Sequence, residues 1–466
     1  MSMDAVIALV ETRTVGIKSG VVTVLSLLLL LGSSLLAQDP DLKEDQGNGG
    51  TTTAEQSPAA AETRSEQLKQ RREEKRENLT PPTPHIAQKY LKRFDAKGSQ
   101  SVDDTNFWGF YPRIDWIARG SGAALGVRYW KPEIVGPVDL MGSAFYSWRR
   151  YGLYDFQTGL IPNRGKRIPS KSFEHESFEQ LGEIDRELFS RFKLFGNLRY
   201  RDRTDDSFYG VGPDSKAESR LRYSIQDTLA EVVTGYQFTE RIGFTYKAGY
   251  LGHTLGPGRS DPSLSDLISD DTDLPEYTQG PNYFRLQGSF LFDYRDDPGV
   301  PHKGFMAAFL WQRMDNIDSI DRFNFTQWGL DGRAYIPLGS RQRVLAFRGL
   351  FIDSDPASRN VVPFFLMPSL GGGESLRGYD AFRFQGPKIM LVQAEYRWEA
   401  SRRFELALFG DTGTVARIGS RISLDKLKSD WGIGLRIKSS RSTLFRIDQA
   451  FSNEGPTTQF RFSAVF

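Results

Sequence analysis

Four histidines (His85, His175, His253 and His302) and no cysteine make up the soft-ligand chemistry of this 466-residue chain. No two of the histidines lie close in sequence, so a metal site or a histidine-based catalytic centre has little material. No Ser-His-acid arrangement stands out around His253 or His302, which fall at expected loop or turn positions. No phosphate-cradling glycine loop is present. The chain is therefore read as non-enzymatic, with no catalytic residues, no cofactor and no metal. The chemistry it does carry is ionic. In "GGGESLRGYDAFRF" (371–384), Arg377, Gly378 and Tyr379 sit in a glycine-rich loop between two segments that read as strands. In "DYRDDPG" (293–299), Asp293, Arg295 and Asp296 crowd together, with Asp297 beside them. By neighbourhood alone, Arg377 reads as an exposed loop charge. The second group reads equally as an inner-wall charge cluster or as turn chemistry around Pro298-Gly299.

The elements that must position these residues alternate with period two. In 191–201, Phe192, Leu194, Leu198 and Tyr200 share one face, while Lys193, Asn197, Arg199 and Arg201 share the other. In 283–295, Phe284, Leu286, Phe290 and Phe292 oppose Arg285, Gln287, Ser289, Asp293 and Arg295. Segments 241–250, 431–438 and 459–466 follow the same scheme, which is that of strands with one apolar and one polar face. A soluble sandwich turns its apolar faces inward. Here those faces are rich in Phe, Tyr and Trp, as in a lipid-facing band with aromatic girdles. The polar faces carry Arg, Lys and Asp along whole strands, which suits a wet lumen. The chain also ends on a strand with Phe460, Phe462 and Phe466, read as the terminal signal that hands an exported barrel to its assembly machinery. The expected fold is all-β: a transmembrane antiparallel barrel of about 16 strands over 106–466. Such strands must close on themselves, because an open edge in lipid leaves backbone groups unsatisfied.

Two further regions precede the barrel. "VVTVLSLLLLL" (21–31) follows Arg13 and Lys18 and precedes a small residue at Ala37, so residues 1–37 are expected to be a secretory signal peptide. The run falls short of the roughly 20 apolar residues of a spanning helix. Residues 38–105 are polar and poor in aromatic and β-branched residues, which implies a disordered periplasmic segment. The formal net charge of +2 gives no electrostatic argument for nucleic acid.

Several stretches, in order, resemble the bacterial surface antigen family, the BamA/TamA outer-membrane assembly superfamily. They are "FYGVGPDS" (208–215), "DYRDDPGVPHKGF" (293–305), "SLRGYDAFRF" (375–384), "VQAEYRW" (392–398), "ALFGDTGTV" (407–415), "GIGLRI" (432–437) and the terminal "FRFSAVF". The resemblance implies that the Arg-Gly-aromatic loop folds back into the lumen, with Arg377 docking on Glu395 and Asp411. Strand parity is compatible: Gln393, Glu395 and Arg397 share one face of 388–398, and Asp411 shares parity with Glu405, Ala407 and Phe409. Gly378 would let the backbone come close to the wall.

The resemblance further implies a bacterial outer-membrane protein that meets lipid and assists insertion, assembly or translocation of polypeptides. Polypeptide clients and a periplasmic or lipoprotein partner are the expected partners. One departure stands out: before the barrel there is only the polar stretch 38–105, in place of the family's periplasmic polypeptide-binding modules. The alternative is a structural or pore-forming barrel without assembly activity.

Overall fold

The computed structural model describes residues 109–160 and 192–461, apart from 240, 267–273, 298–299, 319–321, 402, 418 and 439–442. The expected signal peptide and polar segment, and Phe462 and Phe466, lie outside the described residues. The first strands are β1 (Gly109–Trp116), β2 (Ala123–Val135), β3 (Val138–Ser147), β4 (Gly152–Leu160), β5 (Phe192–Phe208) and β6 (Leu221–Thr239). Next come β7 (Ile242–Pro257), β8 (Tyr283–Asp293), β9 (Gly304–Asn316), β10 (Phe325–Leu338) and β11 (Ser340–Pro356). Two short strands, β12 (Ser369–Leu370) and β13 (Phe384–Gln385), then pair within the glycine-rich loop. The last five are β14 (Lys388–Glu399), β15 (Phe404–Ala416), β16 (Lys428–Lys438), β17 (Thr443–Ser452) and β18 (Gly455–Arg461).

Among the described residues sixteen of these strands form one antiparallel sheet in chain order, with β12 and β13 set apart. Apart from β11 and β14, which β12 and β13 separate in the chain, every pair of neighbours in the large sheet is consecutive in sequence, as hairpin connections dictate. The two ends of the sheet approach each other: the guanidinium of Arg461 on β18 lies over the ring of Trp116 on β1, 5.9 Å from its centre. The protein is thus a transmembrane β-barrel. Most strands run longer than their alternation suggests; β5 spans 17 residues and β6 spans 19. His253 falls within β7 rather than in a loop, because the ladder with β6 continues past it to the Asp227↔His253 pair and beyond.

Burial follows the inverted pattern. Leu125, Leu194, Leu198, Phe290, Phe292, Leu406 and Leu408 are exposed on the outer face. By contrast, Arg128, Arg348, Arg377, Arg436 and Arg446 are among the largest fully buried side chains. An apolar exterior around an ionic interior is stable only where lipid solvates the outside.

The interior departs from a uniformly wet, charged lumen in one respect. Leu291, Met306, Leu310, Leu350, Ile352 and Leu391 point inward and form an apolar cluster with Leu370, Leu376, Tyr379 and Phe384 of the loop. These wall positions face not water but a segment of the chain that fills the barrel, so burying them against it is favourable.

Candidate functional site

The site is where residues 369–387 meet the inner wall. β14 and β15 lie side by side, with Gln393 opposite Asp411 and Glu395 opposite Phe409, so alternation aims Gln393, Glu395 and Asp411 into the barrel. Arg377 reaches both strands of this wall. Its Nε and Nη2 donate to Asp411 Oδ2 and Oδ1 at 2.7 and 2.8 Å, and its Nη1 donates to Glu395 Oε2 at 2.8 Å. The guanidinium also stacks on Phe409, 3.4 Å from the ring centre. None of the three ionic side chains has any exposure. Burial pushes the guanidinium toward neutrality, but Asp411 and then Glu395 overcome it and hold its pKa above the usual arginine value. A fork bound by two carboxylates fixes one pose, which an ammonium could not do.

The rest of the wall supports this pair. Glu395 Oε1 accepts from Arg397 Nε at 2.6 Å and lies 2.5 Å from Arg436 Nη2. Arg436 also donates to Glu405 at 2.9 Å. Gln393 Nε2 donates to the Ser375 carbonyl at 2.8 Å and to Asp411 at 3.1 Å, tying wall, loop and carboxylate together. Arg348 joins Asp331 to the Glu374 carbonyl, which extends the network to β10 and β11.

Gly378 is pressed against the wall: a Cβ there would sit 2.6 Å from Asp430 Cβ and 3.0 Å from Ser452 Cβ. Its carbonyl accepts from Ser452 Oγ at 2.7 Å and Thr457 Oγ1 at 3.2 Å. Tyr379 donates its hydroxyl to Asn453 Oδ1 at 2.7 Å and to the Ser429 carbonyl at 3.3 Å. Burial, then Asp430 and Glu454, push this phenol up to about 12, so it stays a donor at neutral pH. Gly371 turns the loop back with φ +115°, where a side chain would meet the Asp380 carbonyl.

Several contacts were not foreseen from the sequence. Arg383 grips Glu454 in the β17–β18 turn at 2.8 Å and Ser215 in the β5–β6 loop. Tyr209 bonds Asp380 at 3.2 Å, and the Gly212 amide donates to the Gln385 carbonyl. The stretch 208–215 is thus a second docking strip for the loop, although in sequence it stands out only as a motif. Glu374 pairs with Arg461 of β18 at 3.0 Å, and Arg446 of β17 donates to the Gly373 carbonyl. Arg119, in the β1–β2 turn, donates to Ser369 Oγ at 2.9 Å and lies over Phe382. The loop therefore touches elements at both ends of the sheet.

The group at 293–297 divides. Asp293 and Arg295 pair at 3.0 Å, both buried on the inner wall. Asp296 does not join them. Its Oδ1 accepts from the backbone N–H groups of Asp297, His302 and Lys303, which is turn chemistry, because the carboxylate sits where three amide dipoles converge. Phe460 is exposed on the outer face. Among the described residues no group of three or more His, Asp or Glu is placed to hold a metal ion.

Fold and site together define an outer-membrane β-barrel with an arginine-anchored loop docked inside it. The Omp85 superfamily domain matches residues 180–465, more than half of the chain, and the chain belongs to that superfamily. The resemblance drawn from the Arg-Gly-Tyr loop and its companion motifs is borne out at this level. BamA from Haemophilus ducreyi lacking POTRA domains 1–3 is similar in structure. It is 16% identical with a TM-score of 0.52, over 75% of this chain and 68% of that one. CdiB from Escherichia coli is 10% identical with a TM-score of 0.45, over 76% of this chain and 61% of that one. At such identities the likeness to BamA is one of fold. No curated protein matches.

Proposed function

We propose that this barrel assists the insertion or assembly of polypeptides at the outer membrane, without enzymatic chemistry of its own. The observation that carries the reading is the docked loop. Arg377, held by Glu395 and Asp411, anchors a segment that also reaches Arg119 beside β1 and Arg446 and Arg461 on β17 and β18. Those are the elements flanking the seam between the first and last strands. A seam that opens exposes backbone N–H and C=O groups, which template an incoming strand by β-augmentation. The loop's grip on both flanks would then set how readily it opens. Unfolded barrel chains are the clients, and a separate periplasmic or lipoprotein partner delivers them.

The test is reconstitution in liposomes. An unfolded small barrel is added, and its folding is followed by heat-modifiable migration with and without this chain. Acceleration that weakens in Arg377→Ala supports the reading. No acceleration, together with steady conductance in planar bilayers, assigns the chain instead to the pore-forming alternative.

A further inference from the structure

The loop docks on the β14–β18 side of the lumen and leaves a cavity of about 180 Å³ against the β5–β10 side. Five guanidiniums line it: Arg201 and Arg203 from β5, Arg285 from β8, Arg461 from β18 and Arg119 from the β1–β2 turn. Among the described residues the one lining carboxylate is Asp227. We infer that this cavity is an oxyanion site that takes a phosphate monoester group.

The cations come from four separate elements, yet they converge on one space. Arg201 binds Asp227 at 2.8 Å, Arg203 binds Asp206 at 2.7 Å, and Arg285 binds Glu231 at 2.6 Å. These pairs fix the orientation of each fork. Arg203 Nε is buried, lies 3.3 Å from Asp227 and makes no hydrogen bond. The neutral donors Gln312 and Gln327 lie on the same wall. Opposite them, Phe365, Leu366 and Met367 of the β11–β12 connection supply an apolar side, suited to the carbon end of an ester. The volume equals roughly six waters, which accommodates a phosphate and a short substituent. Four of the five guanidiniums are balanced by Asp227, Asp206, Glu231 and Glu374, which leaves one positive charge at low exposure and favours an anion that shares their donors. Phosphate, with three terminal oxygens, matches several forks at once.

The site is tested on the full chain folded in detergent. Thermal unfolding is followed by heat-modifiable migration in sodium phosphate and in sodium chloride of equal ionic strength. The expected result is saturable protection by phosphate alone, the unfolding constant falling about 100-fold at a hundred times Kd. Arg201→Gln, which leaves Asp227 paired with Arg203, should weaken phosphate binding about tenfold. Gln312→Glu, which places a second carboxylate in the cavity, should abolish it. Either variant suffices if the other does not fold. A 1-acylglycerol 3-phosphate doped into the micelle separates the sources: competition with inorganic phosphate identifies a lipid headgroup, and its absence a free anion. Equal protection by chloride and phosphate, or phosphate protection unchanged in a folded variant, would overturn the inference.

Discussion

Replacing Arg377 by alanine should release the loop while leaving the strands paired. The magnitude follows from what is lost and what is left behind. Three charge-assisted bonds to Asp411 and Glu395 go, along with the stacking on Phe409. Glu395 keeps Arg397 and Arg436. Asp411 keeps only weaker partners, such as Gln393 Nε2 at 3.1 Å, and faces Asp430 directly across the β15–β16 ladder. The cost therefore falls mainly on Asp411, left buried without its cation. Removing one partner of a buried pair costs about 3–5 kcal/mol. Complete burial of all three side chains means that solvent screening does not reduce this much. The undocked population of the loop should rise roughly 150- to 5,000-fold. The assay is amide exchange and limited proteolysis of residues 371–384 in detergent-folded protein, with heat-modifiable migration reporting the strands. Arg377→Lys keeps the charge but cannot bridge both carboxylates, so it should fall between wild type and alanine. Adding Asp411→Asn to Arg377→Ala should recover part of the loss, with a coupling of about 1–3 kcal/mol. The reasoning is refuted by a folded Arg377→Ala protein whose loop resists protease and exchanges as slowly as wild type. Additivity of the two substitutions within about 0.5 kcal/mol would equally refute it.

Gly378→Ala adds one methyl against Asp430 and Ser452 and should loosen the loop by about 1–3 kcal/mol, seen as faster exchange with no change of charge. Tyr379→Phe removes the donor to Asn453, so the β17–β18 turn should exchange faster by an amount worth about 1 kcal/mol. Asp296 tests pH dependence. Burial raises its pKa, but the amides of Lys303, His302 and Asp297 outweigh that and leave it below the usual aspartate value. A depressed folded-state pKa means that the carboxylate stabilises the turn at neutral pH, and that this is lost as pH falls through the folded value. Asp296→Ala should therefore raise exchange of residues 300–303 relative to wild type at pH 7, with the difference vanishing in acid; a difference that persists there contradicts the assignment.

The sequence by itself determined the strands and their two faces. Alternation is a property of neighbouring residues, so about sixteen strands could be counted without coordinates, and parity was compatible with the inward aim of Glu395 and Asp411 that the resemblance implied. Motif order was enough to select the loop. Only the tertiary structure decided what meets the inner wall. In "IMLV" (389–392) the alternation disappears, because Ile389 and Leu391 pack on the loop while Val392 faces outward. The same loss of period two recurs at 290–292 and 350–352, where Leu291, Leu350 and Ile352 pack on the loop, and these stretches are the local trace of a filled interior. The partnerships of Arg383 with Glu454, of Arg461 with Glu374, and of Arg119 with Ser369 join residues far apart in the chain. No local pattern specifies them, because they depend on how a curved sheet closes around a loop. The same closure gathers the five arginines of the cavity, each of which reads along its own strand or turn as one polar residue among many.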